Sequence, residues 1–233
     1  MKKKRPTNNA SAFPLIVCTV FIAAAVSTGI ALYSRQQDIS NVRASVLSET
    51  DTSDQMLVLV NRTHRITEEY SGELVKLDCG KSVDSRIYPE LQAMFDEMRS
   101  EGIYPIVNEG FRTKEDQEQM MEDQINAYID EGYSRKKAEK LAKNIVAPVG
   151  SSEHELGIAV DIIADKNLSD NETVYNWLAK NAYKYGFIQR YPSNKTEITG
   201  IDYEPWHYRY VGKKAASEIY EQGVCLEEYL DEN

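Results

Sequence analysis

Gly157-Ile158-Ala159-Val160-Asp161-Ile162-Ile163 reads as a buried β-strand that carries one residue foreign to a core. That residue is Asp161. An ionised carboxylate in such a strand is costly unless a cation or hydrogen bonds meet it. On strand alternation Ala159 shares its face, and so small a neighbour leaves space beside the carboxylate. His154 precedes it by a distance that in a straight strand is roughly 23 Å, too far for two ligands of one ion. The chain must therefore turn, and Gly157 is the pivot. Taken alone, Asp161 reads equally well as a carboxylate capping a neighbouring loop.

A second segment, Glu204-Pro205-Trp206-His207, leads into the strand-like Tyr208-Arg209-Tyr210-Val211. The chain has 3 histidines, and two of them fall in these two segments. An imidazole and a carboxylate from one segment, with an imidazole from another, form the three-ligand set of a catalytic zinc site that keeps a position open for water. Glu204 is then surplus to the ligand shell, and its natural role is a general base beside the metal. A lone histidine is more often structural, and His64, which has no such company, is read that way. The helix-borne H-E-x-x-H pattern is absent, because His154-Glu155-Leu156-Gly157 lacks the second histidine.

Around these segments the pattern is segregated rather than alternating, which predicts an α+β domain with a small, mainly antiparallel sheet flanked by helices. Strands are expected at Met56 to Val60 and Tyr104 to Asn108. Helices are expected at Pro89 to Ser100, after Thr113 with Asp116 completing an N-cap, and at Ser134 to Ile145, Glu172 to Tyr185 and Lys213 to Glu221. Gly186 and Gly223 fall in C-cap positions.

The N-terminus differs in kind. Lys2, Lys3, Lys4 and Arg5 precede an uncharged stretch from Ala12 to Tyr33, long enough at about 1.5 Å per residue to cross a bilayer core. Residues 1–11 are expected to be a cytoplasmic tail, 12–33 a transmembrane anchor, 34–55 a polar stalk and 56–233 the folded domain, held outside a single-pass cell-membrane anchor. A cleaved signal peptide competes, with Ala23-Ala24-Ala25 as the small-residue site, although apolar character continues through Val26, Ile30 and Leu32. Beyond residue 35 the chain carries 22 basic against 37 acidic residues, the wrong sign for a nucleic-acid partner. A monomer is expected. Cys18 lies in the apolar run, so only Cys79 and Cys225 are placed to form a disulfide in an exported domain.

Ser152-x-His154-x-x-Gly157-x-Ala159-x-Asp161, joined to Glu204-x-Trp206-His207, resembles the signature of the zinc D-alanyl-D-alanine carboxypeptidases, the VanY-type enzymes and the related L,D-carboxypeptidases. The likeness extends through Gly110-Phe111-Arg112-Thr113-x-x-x-Gln117 and Tyr185-Gly-Phe-Ile-x-Arg-Tyr-Pro192, and covers most of Met56 to Leu230. Glu155-Leu156, Val149 and Phe111 depart from the usual pattern, and none is a ligand. The resemblance implies a Hedgehog/D,D-peptidase type of α+β fold and one Zn2+ on His154, Asp161 and His207. It further implies Glu204 as catalytic base, Arg112 as the substrate-side and oxyanion arginine, and substrate contacts from Gln117, Ser152 and Trp206.

The partner implied is the peptidoglycan stem peptide, losing its C-terminal D-alanine to zinc-activated water. An L,D-carboxypeptidase, a stem endopeptidase and a non-catalytic wall-peptide binder are the alternatives. The terminal carboxylate needs a cation, for which Arg190 or Arg209 is expected if Arg112 meets the oxyanion. A serine mechanism has only Ser134-Arg-Lys-Lys137, with no K-T-G or S-D-N to follow.

Overall fold

The computed structural model describes residues 56–68 and 70–232, so the tail, anchor and stalk read from residues 1–55 lie outside the described residues. Among the described residues no helix is long and apolar enough to cross a membrane. A hairpin of β1 (Leu74–Lys76) and β2 (Ser82–Asp84) precedes α1 (Tyr88–Ser100), β3 (Pro105–Glu109), α2 (Lys114–Asp130) and α3 (Arg135–Ala142). A 3-10 turn at Glu153–Leu156 leads into β4 (Ala159–Ala164), followed by α4 (Asn171–Asn181), a second 3-10 turn at Ala182–Tyr185 and β5 (Phe187–Gln189). Then come α5 (Thr196–Thr199), β6 (His207–Tyr210), α6 (Lys213–Gln222) and α7 (Leu226–Glu232). The main sheet has strand order β3-β4-β6-β5 with antiparallel pairing throughout, as the α+β reading expects.

Strand β4 sits inside the sheet, and its alternation decides which face does what. Val160, Ile162 and Ala164 enter the main core with Leu91, Met94, Phe95 and Met98 of α1 and Val174, Trp177 and Leu178 of α4. Each such large side chain contributes roughly 1.5–3 kcal/mol on leaving water. Asp161 therefore points to the opposite face, away from this core. Helix α1 begins with Pro89 in its first turn, and α2 starts on the expected capping box of Thr113 and Asp116.

Gly157 is the pivot that the spacing demanded. It ends the first 3-10 turn at φ +65°, and a Cβ there would stand 3.1 Å from the Asp84 amide nitrogen. A side chain is thus disfavoured both by the left-handed backbone and by the close approach of β2.

Four expectations fail. Met56 to Val60 is not a strand: its carbonyls are taken by a guanidinium, with Arg209 Nη2 donating to Met56 O at 2.7 Å and Val58 O at 2.8 Å. The helix expected to reach Ile145 ends at Ala142, and that expected to reach Tyr185 gives way to a 3-10 turn at Ala182. Cys79 is exposed, Cys225 is buried, and both are free thiols, so no bridge joins them.

Candidate active site

The sheet register assembles the site. Asp161 pairs with His207 across β4 and β6, and with Glu109 across β3 and β4, so three polar side chains meet at one end of three strands. The first 3-10 turn brings His154 to the same place. Ligand atoms of His154, Asp161 and His207 lie within 4.8 Å of one another. His154 Nε2 is 3.4 Å and His207 Nδ1 3.1 Å from Asp161 Oδ1.

The ring orientations follow from the outer partners. His154 Nδ1 donates to the Gly110 carbonyl at 2.8 Å, and since a carbonyl only accepts, Nε2 is the nitrogen left to bind. His207 is turned the other way, its Nε2 facing Glu153 Oε2 at 3.4 Å and its Nδ1 facing Asp161. Two donors at tetrahedral zinc bonds of about 2.0–2.1 Å stand roughly 3.3 Å apart, which matches the separations from Asp161 to both histidines. Two imidazoles and one carboxylate, nearly buried, thus fit zinc and leave a fourth position open.

The electrostatics agree. Burial works against ionising Asp161, but His154 and His207 outweigh it and hold the carboxyl well below its usual range. Burial likewise opposes charge on His207, yet hydrogen bonds to Asp161 and Glu153 raise its pKa to about 9. Glu204 lies beside the donors, its Oε2 3.8 Å from His207 Nδ1. Burial pushes its pKa up to about 7, opposed by His207 and reinforced by Asp161 and Glu153.

One cleft of about 120 Å³ is lined by the three donors, Glu204, Arg112, Gln117, Ser152 and Trp206. Arg112 is held at its wall by Gln117 Oε1 at 2.7 Å from Nη1 and by Glu109 Oε2 at 3.4 Å from Nη2. Gln117 in turn donates to the Ala147 carbonyl at 2.6 Å. His64 stays apart, exposed beside Asn61 and Thr63.

Arg190 and Arg209 are not substrate cations. They are 1% and 0% exposed and both donate to Glu153 Oε1, at 2.7 Å from Arg190 Nε and 2.8 Å from Arg209 Nη1. Their partner comes from another part of the chain, which strand position alone does not reveal. Sequence reasoning also passed over Glu153 and Tyr191, whose ring lies 4.9 Å from that of His207. A glutamate next to a candidate donor looks like surface charge; the only signal is its place inside the quoted motif. Glu155, a departure from the usual pattern, accepts from the amides of Gly150 at 2.8 Å and Ser152 at 3.3 Å and so shapes the loop before His154.

The VanY family of D-alanyl-D-alanine carboxypeptidases matches residues 80–213. A D-alanyl-D-alanine carboxypeptidase of Enterococcus faecalis is 49% identical over 191 residues, spanning 82% of this chain and 71% of that protein. Among solved structures, the vancomycin-resistance D,D-pentapeptidase VanY in complex with Zn(II) is 51% identical, covers 75% of this chain and 98% of its own, and gives a TM-score of 0.73. VanYB in complex with D-alanine-D-alanine gives 0.74 at 51% identity, over 76% and 98% of the two chains. The match over more than half of the sequence, on a fold that places the family's motifs around one cleft, shows that the chain belongs to the VanY D-alanyl-D-alanine carboxypeptidase family.

Proposed function

We propose that the chain is a zinc-dependent carboxypeptidase that removes the C-terminal D-alanine of peptidoglycan stem peptides, with zinc on His154, Asp161 and His207. The observation that carries this reading is the convergence of those three donors with Glu204 and Arg112 in one cleft of a VanY-family chain. When bound, zinc supplies Lewis acidity that lowers the pKa of water towards about 7 and polarises a carbonyl. Glu204 takes the proton of the attacking water and returns it to the leaving amine. Arg112 is the one Lys or Arg among the described residues lining the cleft, so it meets the negative charge of the substrate. Gln117 and Glu109 hold its guanidinium in place, while Ser152 and Trp206 contact the peptide.

Incubation with defined tri-, tetra- and pentapeptide stems tests the bond chosen. Mass spectrometry is expected to show pentapeptide converted to tetrapeptide by loss of one D-alanine; loss from the tetrapeptide alone would replace this reading by L,D-carboxypeptidase action.

Arg112→Gln is expected to cut kcat/KM by at least tenfold, the cost of one charge-assisted pair of about 1.5–3 kcal/mol. It should also shrink the preference for a free terminal carboxylate over an amidated end. An undiminished preference would assign Arg112 to the oxyanion and leave the carboxylate to backbone donors.

Zinc uptake is expected to release protons. His207, protonated up to about pH 9 by Asp161 and Glu153, must give up its proton before Nδ1 can bind. Apparent affinity therefore rises with pH through neutrality towards about 9. Calorimetry in buffers of different ionisation enthalpy measures the release, and proton-neutral uptake at pH 7 would contradict it.

The segment 12–33 is proposed to anchor the domain outside the cell membrane, supported by the basic flank Lys2 to Arg5 and the uncharged run Ala12 to Tyr33. An intact N-terminus in the membrane fraction is expected, whereas a mature chain beginning after Ala25 would favour the cleaved signal. The working unit is proposed to be a monomer.

A further inference from the structure

The buried cluster behind His207 is larger than a metal ligand needs for packing alone. Glu153 has no exposed side-chain surface, and its two oxygens have separate duties. Oε1 accepts from Arg190 Nε and Arg209 Nη1, while Oε2 is left for His207 Nε2. Each arginine is itself pinned. Glu227 of α7 grips Arg190 with two bonds of 2.8 and 2.6 Å, and Arg209 donates to the carbonyls of Met56, Val58 and Tyr210. Two carboxylates and two guanidinium groups leave the cluster with no net charge, so it does not repel a dication at the neighbouring donors. The two guanidinium groups that donate to Oε1 are met by a carboxylate, which leaves Oε2 as an acceptor towards His207. An ionised carboxylate only accepts, so Nε2 of His207 keeps its proton towards Glu153, and Nδ1 is the nitrogen that gives up its proton to bind metal.

We infer that Glu153, clamped between Arg190 and Arg209, is the positioning residue that fixes the tautomer and ring angle of His207 for zinc. The segment after Met56 and helix α7 act through it, since each fastens one of the two arginines. This role presupposes His207 as a zinc ligand. A buried ion network by itself is weak evidence of stability, so the test reads zinc rather than folding.

In the full-length chain in detergent, zinc affinity is measured by chelator competition for the parent, Glu153→Gln and Ile125→Ala. Glu153→Gln is expected to weaken zinc binding by ~10–100-fold. Ile125→Ala, which removes buried packing from the separate cluster between α2 and α3, should lower the melting temperature and leave zinc affinity at the parent's value. Ring-15N NMR of the zinc-loaded parent should show a slowly exchanging Nε2 proton on His207 and an Nδ1 proton on His154. Parent-like affinity in Glu153→Gln, equal loss in Ile125→Ala, or absence of the His207 Nε2 proton each overturns the positioning role. If Glu153→Gln fails to fold, the ring proton of the unmodified protein decides. Parent-like zinc binding by His207→Ala is a separate outcome, which refutes the ligand assignment and not the second-layer contact.

Discussion

Glu204→Gln is expected to bind one zinc ion as the parent does and to hydrolyse D-Ala-D-Ala stems ~10²–10⁴-fold more slowly, the usual contribution of a positioned acid–base group. Three observations separate Glu204 from the three proposed ligands. The donor atoms that cluster within 4.8 Å belong to His154, Asp161 and His207. Glu204 Oε2 stands 3.8 Å from His207 Nδ1, beside the donors rather than among them. Its side chain, 19% exposed, reaches the cleft where water enters. Burial pushes its pKa up to about 7, which suits a group that must accept a proton and give it back near neutral pH.

The sign of the pH effect follows from that shift. The base must be ionised to work, so kcat/KM rises with pH as Glu204 loses its proton. A dication beside it favours the carboxylate, which places this acid limb at or below about pH 7. Glu204→Gln should remove the limb along with the rate. Metal analysis and single-turnover kinetics on the same sample check the assignment: zinc lost together with activity makes Glu204 a ligand or a structural residue.

What the sequence reveals about this site depends on how local the physical signal is. Asp161 stands out because a carboxylate in an apolar strand contradicts its own surroundings within a few residues. Gly157 stands out because His154 and Asp161 cannot share an ion without a turn between them, and the backbone at φ +65° is that turn. The capping box at Thr113 and the helix α1 are legible for the same reason, since cap and periodicity are short-range.

The roles of Arg190 and Arg209 are not legible in the sequence because their meaning lies with Glu153 and Glu227, far along the chain. A guanidinium in a strand looks available until its partner is known. Met56 to Val60 has strand composition, yet Arg209 takes the carbonyls that a ladder would have used. The three-residue strands β1, β2 and β5 are too short for alternation to register, and tertiary pairing alone defines them.

Asp161→Asn is expected to weaken zinc by at least ~10²-fold and to abolish hydrolysis at zinc levels that saturate the parent. Structural zinc sites are worth ~10–16 kcal/mol, or about 3 kcal/mol for each of four positions, which corresponds to roughly two decades of affinity. Asn keeps the size and one carbonyl oxygen but surrenders the charge, so the loss reports coordination rather than a cavity. The ionised Asp161 is also favoured by His154 and His207, and its depressed pKa adds stability to the protein above about pH 3.8 that disappears as pH falls. The variant should thus be less stable than the parent at neutral pH even with chelator present. The zinc-dependent increment is the cleaner measure, since it compares each protein with itself. With zinc at a hundred times the parent's Kd the parent gains ~2.7 kcal/mol, whereas a variant hundredfold weaker gains only ~0.4 kcal/mol. Equal increments would move Asp161 from the metal to the framework, where its contacts with His154 and His207 would merely hold the two rings. The third protein position would then need a donor from elsewhere in the cleft, and Glu204, with Oε2 3.8 Å from His207 Nδ1, stands on the side of that nitrogen to take the place.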